Sequence, residues 1–135
     1  MACAEGEFYL IVNRGVEGRK IFTSSRDFER FKRGLLLFNT TESVELRKNS
    51  EKLFLKRLQL GKVSRLVDIV AYCLLGNHFH LFLQQRVEQG VEQFLRKLVG
   101  GYTKYFNLRH KRKGVLFQAS AKIVHIVDEN HFTHV

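Results

Sequence analysis

The chain has 135 residues, 44% of them apolar, with 23 Lys plus Arg against 13 Asp plus Glu and a formal net charge of +10. That length holds one compact domain with a real core and is too short for two. No stretch approaches the roughly 20 uninterrupted apolar residues of a membrane helix and "MACAEGEFYL" lacks the pattern of a signal peptide, so a cytoplasmic protein with a polyanionic partner and no membrane is expected.

"EFYLIVNRG" (Glu7–Gly15) predicts a first strand, rich in aromatic and β-branched residues and closed by Gly15. A turn over "VEGRK" leads to Ser24 or Ser25 as a helix cap. Phe28, Phe31, Leu35 and Phe38 then recur at helical spacing, which gives that helix one apolar face. The charged segment 39–64 carries Leu53, Phe54, Leu55 and Leu58 and reads as an exposed excursion with a short helix. Arg65–Leu75 is a second strand, Gly76-Asn77 a tight turn, and His78–Gln85 a third strand antiparallel to the second. From Gly90 to Phe106, Val91, Phe94, Leu95, Leu98, Tyr102 and Tyr105 share one helical face. A basic loop ends at Gly114, and Val115–Val127 is expected as a fourth strand bent at Ala119–Ala121. The order β-α-β-β-α-β predicts an α+β, ferredoxin-like fold: a four-stranded antiparallel sheet with two helices on one face.

Cys3 and Cys73 show no ligand spacing and read as reduced thiols. His78 and His80 are more pointed. Alternation along a strand puts Phe79, Leu81 and Leu83 on one face and His78, His80, Phe82 and Gln84 on the other. The apolar set belongs under the helices, so the histidines are expected on the open face. Two imidazoles at i and i+2 can lean onto one cation, each at about 2.1 Å. They also suit two surface histidines with no ligand.

The charge is unevenly spread. No acidic residue lies between Gln93 and Val127, where Lys104, Arg109, Lys111, Arg112, Lys113 and Lys122 all fall. Such clusters contact phosphates, which makes these six the candidate nucleic-acid-binding residues, with a solvated basic face as the alternative.

"GNHFHLFLQ", "FLRKLVGGYTKYFN", "GVLFQ", the opening "FYLIVNRGVEGRKIF" and "DFERF" together resemble the HUH-type single-tyrosine transposases, within them the REP-associated, insertion-sequence-200-like group. The resemblance spans nearly the whole chain outside 39–64 and implies the same ferredoxin-like core. His78 and His80 match the family's metal-binding pair, which implies Mg²⁺ or Mn²⁺, and Asn77 matches the asparagine before it. Gly76 stands where the family usually has proline. Gly101–Asn107 matches the second-helix signature, and Gly114, Leu116, Phe117 and Gln118 the entry to the fourth strand. Ser120 and Ala121 replace an arginine and an aromatic that often follow.

The activity implied is metal-assisted cleavage and rejoining of single-stranded or hairpin DNA through a 5′-phosphotyrosine, commonly by a homodimer. The family's nucleophilic tyrosine lies on a helix after the fourth strand, with an amide ligand one turn later. Here Asp128 reads as the cap of that helix, and the tyrosine is expected beyond Val135. Within the chain only Tyr105 and Tyr102 stand as substitutes, and both fall on the apolar helix face, where tyrosine ordinarily packs. The rival functions are a non-catalytic nucleic-acid-binding remnant or regulator of the same fold and, third, an RNA-binding sheet with aromatics on its open face.

Overall fold

Strict alternation of burial along the two central strands builds the inner face of the sheet. Along β1 (Phe8–Arg14) Tyr9, Ile11 and Asn13 are buried, and along β3 (His78–Gln85) Phe79, Leu81, Leu83 and Gln85 are buried. In the computed structural model, which describes residues 3–42 and 48–127, these rows form one inner face. The remaining elements are a single 3-10 turn at Val16–Gly18, α1 (Ser25–Leu37), α2 (Lys48–Gln59), β2 (Val67–Leu75), α3 (Gly90–His110) and β4 (Lys122–Ile126). All strand pairs are antiparallel, in the order β2-β3-β1-β4, so the ferredoxin-like sheet is present.

The helices lie against the inner face through an aromatic cluster. Phe31 of α1 meets Phe79 of β3 and Tyr102 of α3 at 5.1 and 5.2 Å between ring centroids. Phe94, Leu98 and Phe106 of α3 are buried in the same cluster. Each such side chain stabilises the fold by about 1.5–3 kcal/mol relative to exposure.

Four elements differ from the sequence expectation. The fourth strand is short, since regular pairing starts only at Lys122. Leu116 and Phe117 are consecutive and both buried, which an alternating strand cannot provide. Phe117 turns inward against Phe79, and the segment is held instead by Gln118 N–H donating to Arg14 O and Val16 N–H donating to Leu116 O. Helix α3 runs four residues past Phe106, to His110, and ends where Lys111 takes a left-handed φ of 51°. Within 39–64 the expected helix is α2, a third helix of twelve residues beside α1, so the helices number three among the described residues. Its Phe54 is buried and its Glu51 pairs with Arg33 of α1. Both ends of the segment are pinned: the buried Asn39 carboxamide accepts from Leu66 and Val67 N–H, donates to Val67 O, and Thr41 N–H bonds Ser64 O. Finally, β2 carries a bulge between Ile69 and Ala71. Asp128 and the helix expected to follow it lie outside the described residues.

Candidate metal and nucleic-acid site

The sheet register brings the site together. Across the β1–β3 ladder Arg14 faces His78 and Val12 faces His80, and on the other side Cys73 of β2 faces His80. The alternation that buries Phe79 and Leu81 turns both histidines to the outer face. Their ring centroids are 5.1 Å apart with planes at 69°. Burial, then the charges of His78 and Arg14, push the His80 pKa below the ordinary histidine value. That shift favours the neutral imidazole, the form that offers a lone pair to a metal. His78 Nδ1 lies 2.7 Å from Asn77 Oδ1.

Two imidazole nitrogens on an open face, one of them biased against protonation, fit a divalent cation that takes its other ligands from water or phosphate oxygen. Among the described residues no cluster of three or more His, Cys, Asp or Glu side chains is arranged to hold a metal. A cation held by this pair would need further ligands from outside it. Nitrogen donors are softer than the all-oxygen shells Mg²⁺ prefers, so Mn²⁺ is the better fit of the two.

Beside His80 a groove of about 500 Å³ runs between β1 and β4. Leu10, Val12 and Val124 line its apolar part, and Arg14, Gln118, Ser120 and Lys122 its polar part. The end of the sheet that carries His78 is tied to two loops: Gly15 N–H donates to Asn77 O, and Ile21 N–H to Gly76 O. Arg14 escaped the sequence reading, which looked for charge in the acid-free run. Its signal was there in the alternation of β1, where Leu10, Val12 and Arg14 oppose Tyr9, Ile11 and Asn13. A second outward aromatic was also missed: Phe8 lies 5.7 Å from Phe82.

The six candidate DNA-binding residues separate. Lys122 lies in the groove. Lys111 and Lys113 are exposed in the loop that leads toward Gln118, and Lys104 is exposed on α3, on the helical side of the sheet. Arg109 and Arg112 hold structure instead. Arg109 Nε is 3.4 Å from the buried carboxylate of Asp27, and Arg112 donates to Asn107 Oδ1 at 2.6 Å and to Val115 O at 2.9 Å.

No tyrosine of the chain reaches the histidines. Tyr102 donates to Ile21 O, and burial drives its pKa far above the ordinary tyrosine value. Tyr105 donates to Asp27 Oδ1 at 2.7 Å, and burial together with that carboxylate pushes its pKa up to about 12. Both sit on α3, across the sheet from His78 and His80. Tyr9 points to the inner face, and Tyr72, paired with Leu81, belongs to the same side.

Asp27 was not singled out by sequence. Its fully buried carboxylate accepts from Thr23 N–H and Oγ1–H, from Tyr105 and at 3.2 Å from His110. Burial opposes its charge, but these bonds prevail and hold its pKa below the ordinary carboxylate value.

A ferredoxin-like sheet with paired outward histidines beside a basic groove is the class that fold and site define. No family model and no curated protein matches the sequence. Solved structures do share the fold, two transposases among them. One is a REP-associated tyrosine transposase bound to a REP hairpin, with a TM-score of 0.56 at 10% identity over 97% of this chain. This chain spans 62% of that one's length. The other is a candidate transposase from Deinococcus radiodurans R1, with a TM-score of 0.57 at 14% identity over 99% of this chain and 92% of that one. At such identities the likeness establishes the fold. Among the described residues no helix is long and apolar enough to cross a membrane.

Proposed function

We propose that this chain is the DNA-binding domain of a tyrosine transposase of the HUH type, acting on single-stranded or hairpin DNA. The observation that carries the reading is the His78–His80 pair on the outer face of this sheet, with Arg14 and Lys122 beside it. His78 and His80 would hold Mg²⁺ or Mn²⁺, which when bound supplies a Lewis acid for the scissile phosphate. Arg14 and Lys122 bind and orient the flanking backbone, and Lys111 and Lys113 extend the positive surface. The attacking hydroxyl that would form the 5′-phosphotyrosine is assigned to none of the chain's four tyrosines, which lie on the helical side of the sheet, with Tyr102 and Tyr105 hydrogen-bonded there. A homodimer joined at a sheet edge belongs to the same proposal.

The test is fluorescence anisotropy with single-stranded and hairpin oligonucleotides over a salt series, with Mn²⁺ titrated in parallel. DNA affinity that falls steeply with salt, and Mn²⁺ binding lost in His78→Ala and His80→Ala, are the expected results. Salt-dependent DNA binding with no Mn²⁺ binding would favour the non-catalytic remnant of the same fold. That second reading draws on the separation between every tyrosine and the histidine pair. Tighter binding to single-stranded RNA, lost in Phe8→Ala and Phe82→Ala, would favour the RNA-binding sheet.

A further inference from the structure

The hairpin that presents His78 also sets a carboxamide against it. Asn77 is the second of two residues joining β2 to β3, and its Oδ1 lies 2.7 Å from His78 Nδ1. An amide oxygen only accepts, while a neutral imidazole carries one N–H and one lone pair. The contact therefore requires the proton on Nδ1 and leaves the lone pair on Nε2. The backbone of the turn is fixed: Asn77 O accepts from Gly15 N–H at 2.9 Å, and Gly76 O accepts from Ile21 and Phe22 N–H. Neither turn residue has a positive φ. The carboxamide is thus delivered from an anchored turn.

We propose that Asn77 is a positioning residue, which holds His78 as its Nδ1–H tautomer and so keeps Nε2 free for the divalent ion. The inference rests on the reading of His78 and His80 as a metal pair and adds to it the group that prepares one ligand. Histidine ligands commonly donate their second ring N–H to an oxygen acceptor, and losing that acceptor weakens metal binding by about 10–100-fold. The opposite rotamer of the carboxamide would present Nδ2–H to Nδ1, move the proton to Nε2 and close the site, so the tautomer decides the matter.

The experiment uses the whole 135-residue chain with ¹⁵N-labelled histidine. Long-range ¹H–¹⁵N correlation spectra are recorded without metal at pH 8, followed by Mn²⁺ titration read by calorimetry and paramagnetic broadening. In the unaltered chain and in Asn77→Asp, which keeps an oxygen acceptor, His78 is expected as the Nδ1–H form. In Asn77→Ala that preference is lost and Mn²⁺ binds about tenfold to hundredfold more weakly, while Asn77→Asp retains binding. An Nε2–H form of His78 in the unaltered chain, or equal Mn²⁺ affinity in it and in Asn77→Ala, overturns the role of Asn77 and leaves the metal pair standing. An Nδ1–H form with no Mn²⁺ binding overturns the metal pair itself, and the positioning role with it. A folded Asn77→Asp protein with the tautomer and affinity of the unaltered chain separates a specific acceptor from a merely structural turn residue.

Discussion

Arg14 stands directly across the β1–β3 ladder from His78, on the face opposite the one that α1 and α3 cover. A guanidinium there opposes a cation and favours a phosphate. Arg14→Ala should therefore weaken DNA binding at every sequence and reduce the salt slope by about 1. Mn²⁺ affinity should stay the same or rise, because a positive charge beside the pair is removed. Anisotropy over a KCl series and a parallel Mn²⁺ titration check both. A loss of Mn²⁺ binding would show that Arg14 supports the fold of the site instead of contacting phosphate.

The carboxylate of Asp27 joins the start of α1 to the end of α3 through Thr23, Tyr105, Arg109 and His110. Its pKa is depressed in the folded state, so its contribution is complete above the unfolded carboxylate pKa of about 4 and is lost as pH falls through the lower folded value. Asp27→Ala should cost about 3 kcal/mol at pH 7 by leaving buried donors unpaired. Urea unfolding at pH 7 and in acid below about pH 4 should show a smaller penalty in acid. An equal penalty at both would mean the charge contributes nothing.

Much of this fold is written in local pattern. Period-two burial in β1 and β3 marks both faces, and with them the outward position of His78 and His80. Helix α3 is legible from Val91 to Tyr105 because its apolar residues recur at helical spacing. Its end is not, because Lys111 reaches its left-handed cap without the usual glycine. The shape of 115–121 follows from a long-range fact, the docking of Phe117 on Phe79 and Tyr102, which no local period reports. Asp27 is similar: its partners at 105, 109 and 110 lie about eighty positions away. Arg14 was legible, and went unread because net charge drew attention to another segment.

Two adjacent glycines in α3 should behave oppositely. A Cβ on Gly100 meets nothing within 4 Å, whereas one on Gly101 would lie 2.4 Å from the Phe38 ring. Gly100→Ala should stabilise by about 1 kcal/mol through helix propensity. Gly101→Ala should destabilise by about 1–3 kcal/mol, since the α1–α3 contact must open. Thermal melts of the two variants decide it, and a stabilised Gly101→Ala would mean that Phe38 swings aside freely.

A homodimer joined at a sheet edge would have two edges to choose between. β4 offers five residues and β2 nine, with Tyr72 and Leu75 exposed and, among the described residues, no strand paired on its outer side. Edges of that length invite strand addition. Light scattering should read twice the chain mass, and Tyr72→Lys should shift it to the monomer. A monomer mass at high concentration in the unaltered chain would remove the dimer, and a dimer untouched by Tyr72→Lys would move the interface away from β2.

The 135-residue chain should bind DNA without cleaving it. A nucleophile needs its hydroxyl within reach of the phosphate that the metal pair would hold, and it must lose its proton as it attacks. Tyr102 fails on both counts: it lies across the sheet, donates to Ile21 O, and its pKa is far above the ordinary value. Tyr105 is held at Asp27, whose negative charge opposes a second anion beside it. Labelled single-stranded DNA incubated with Mn²⁺ and run on a denaturing gel should show no covalent protein–DNA band. Tyr102→Phe and Tyr105→Phe should leave DNA affinity unchanged and each lower stability by about 1 kcal/mol, the worth of one hydrogen bond. A covalent band that disappears only in Tyr105→Phe would place the nucleophile on α3 and require α3 to leave Asp27 before reaction. A band that survives both variants would direct the search to Tyr72, the most exposed tyrosine of the four.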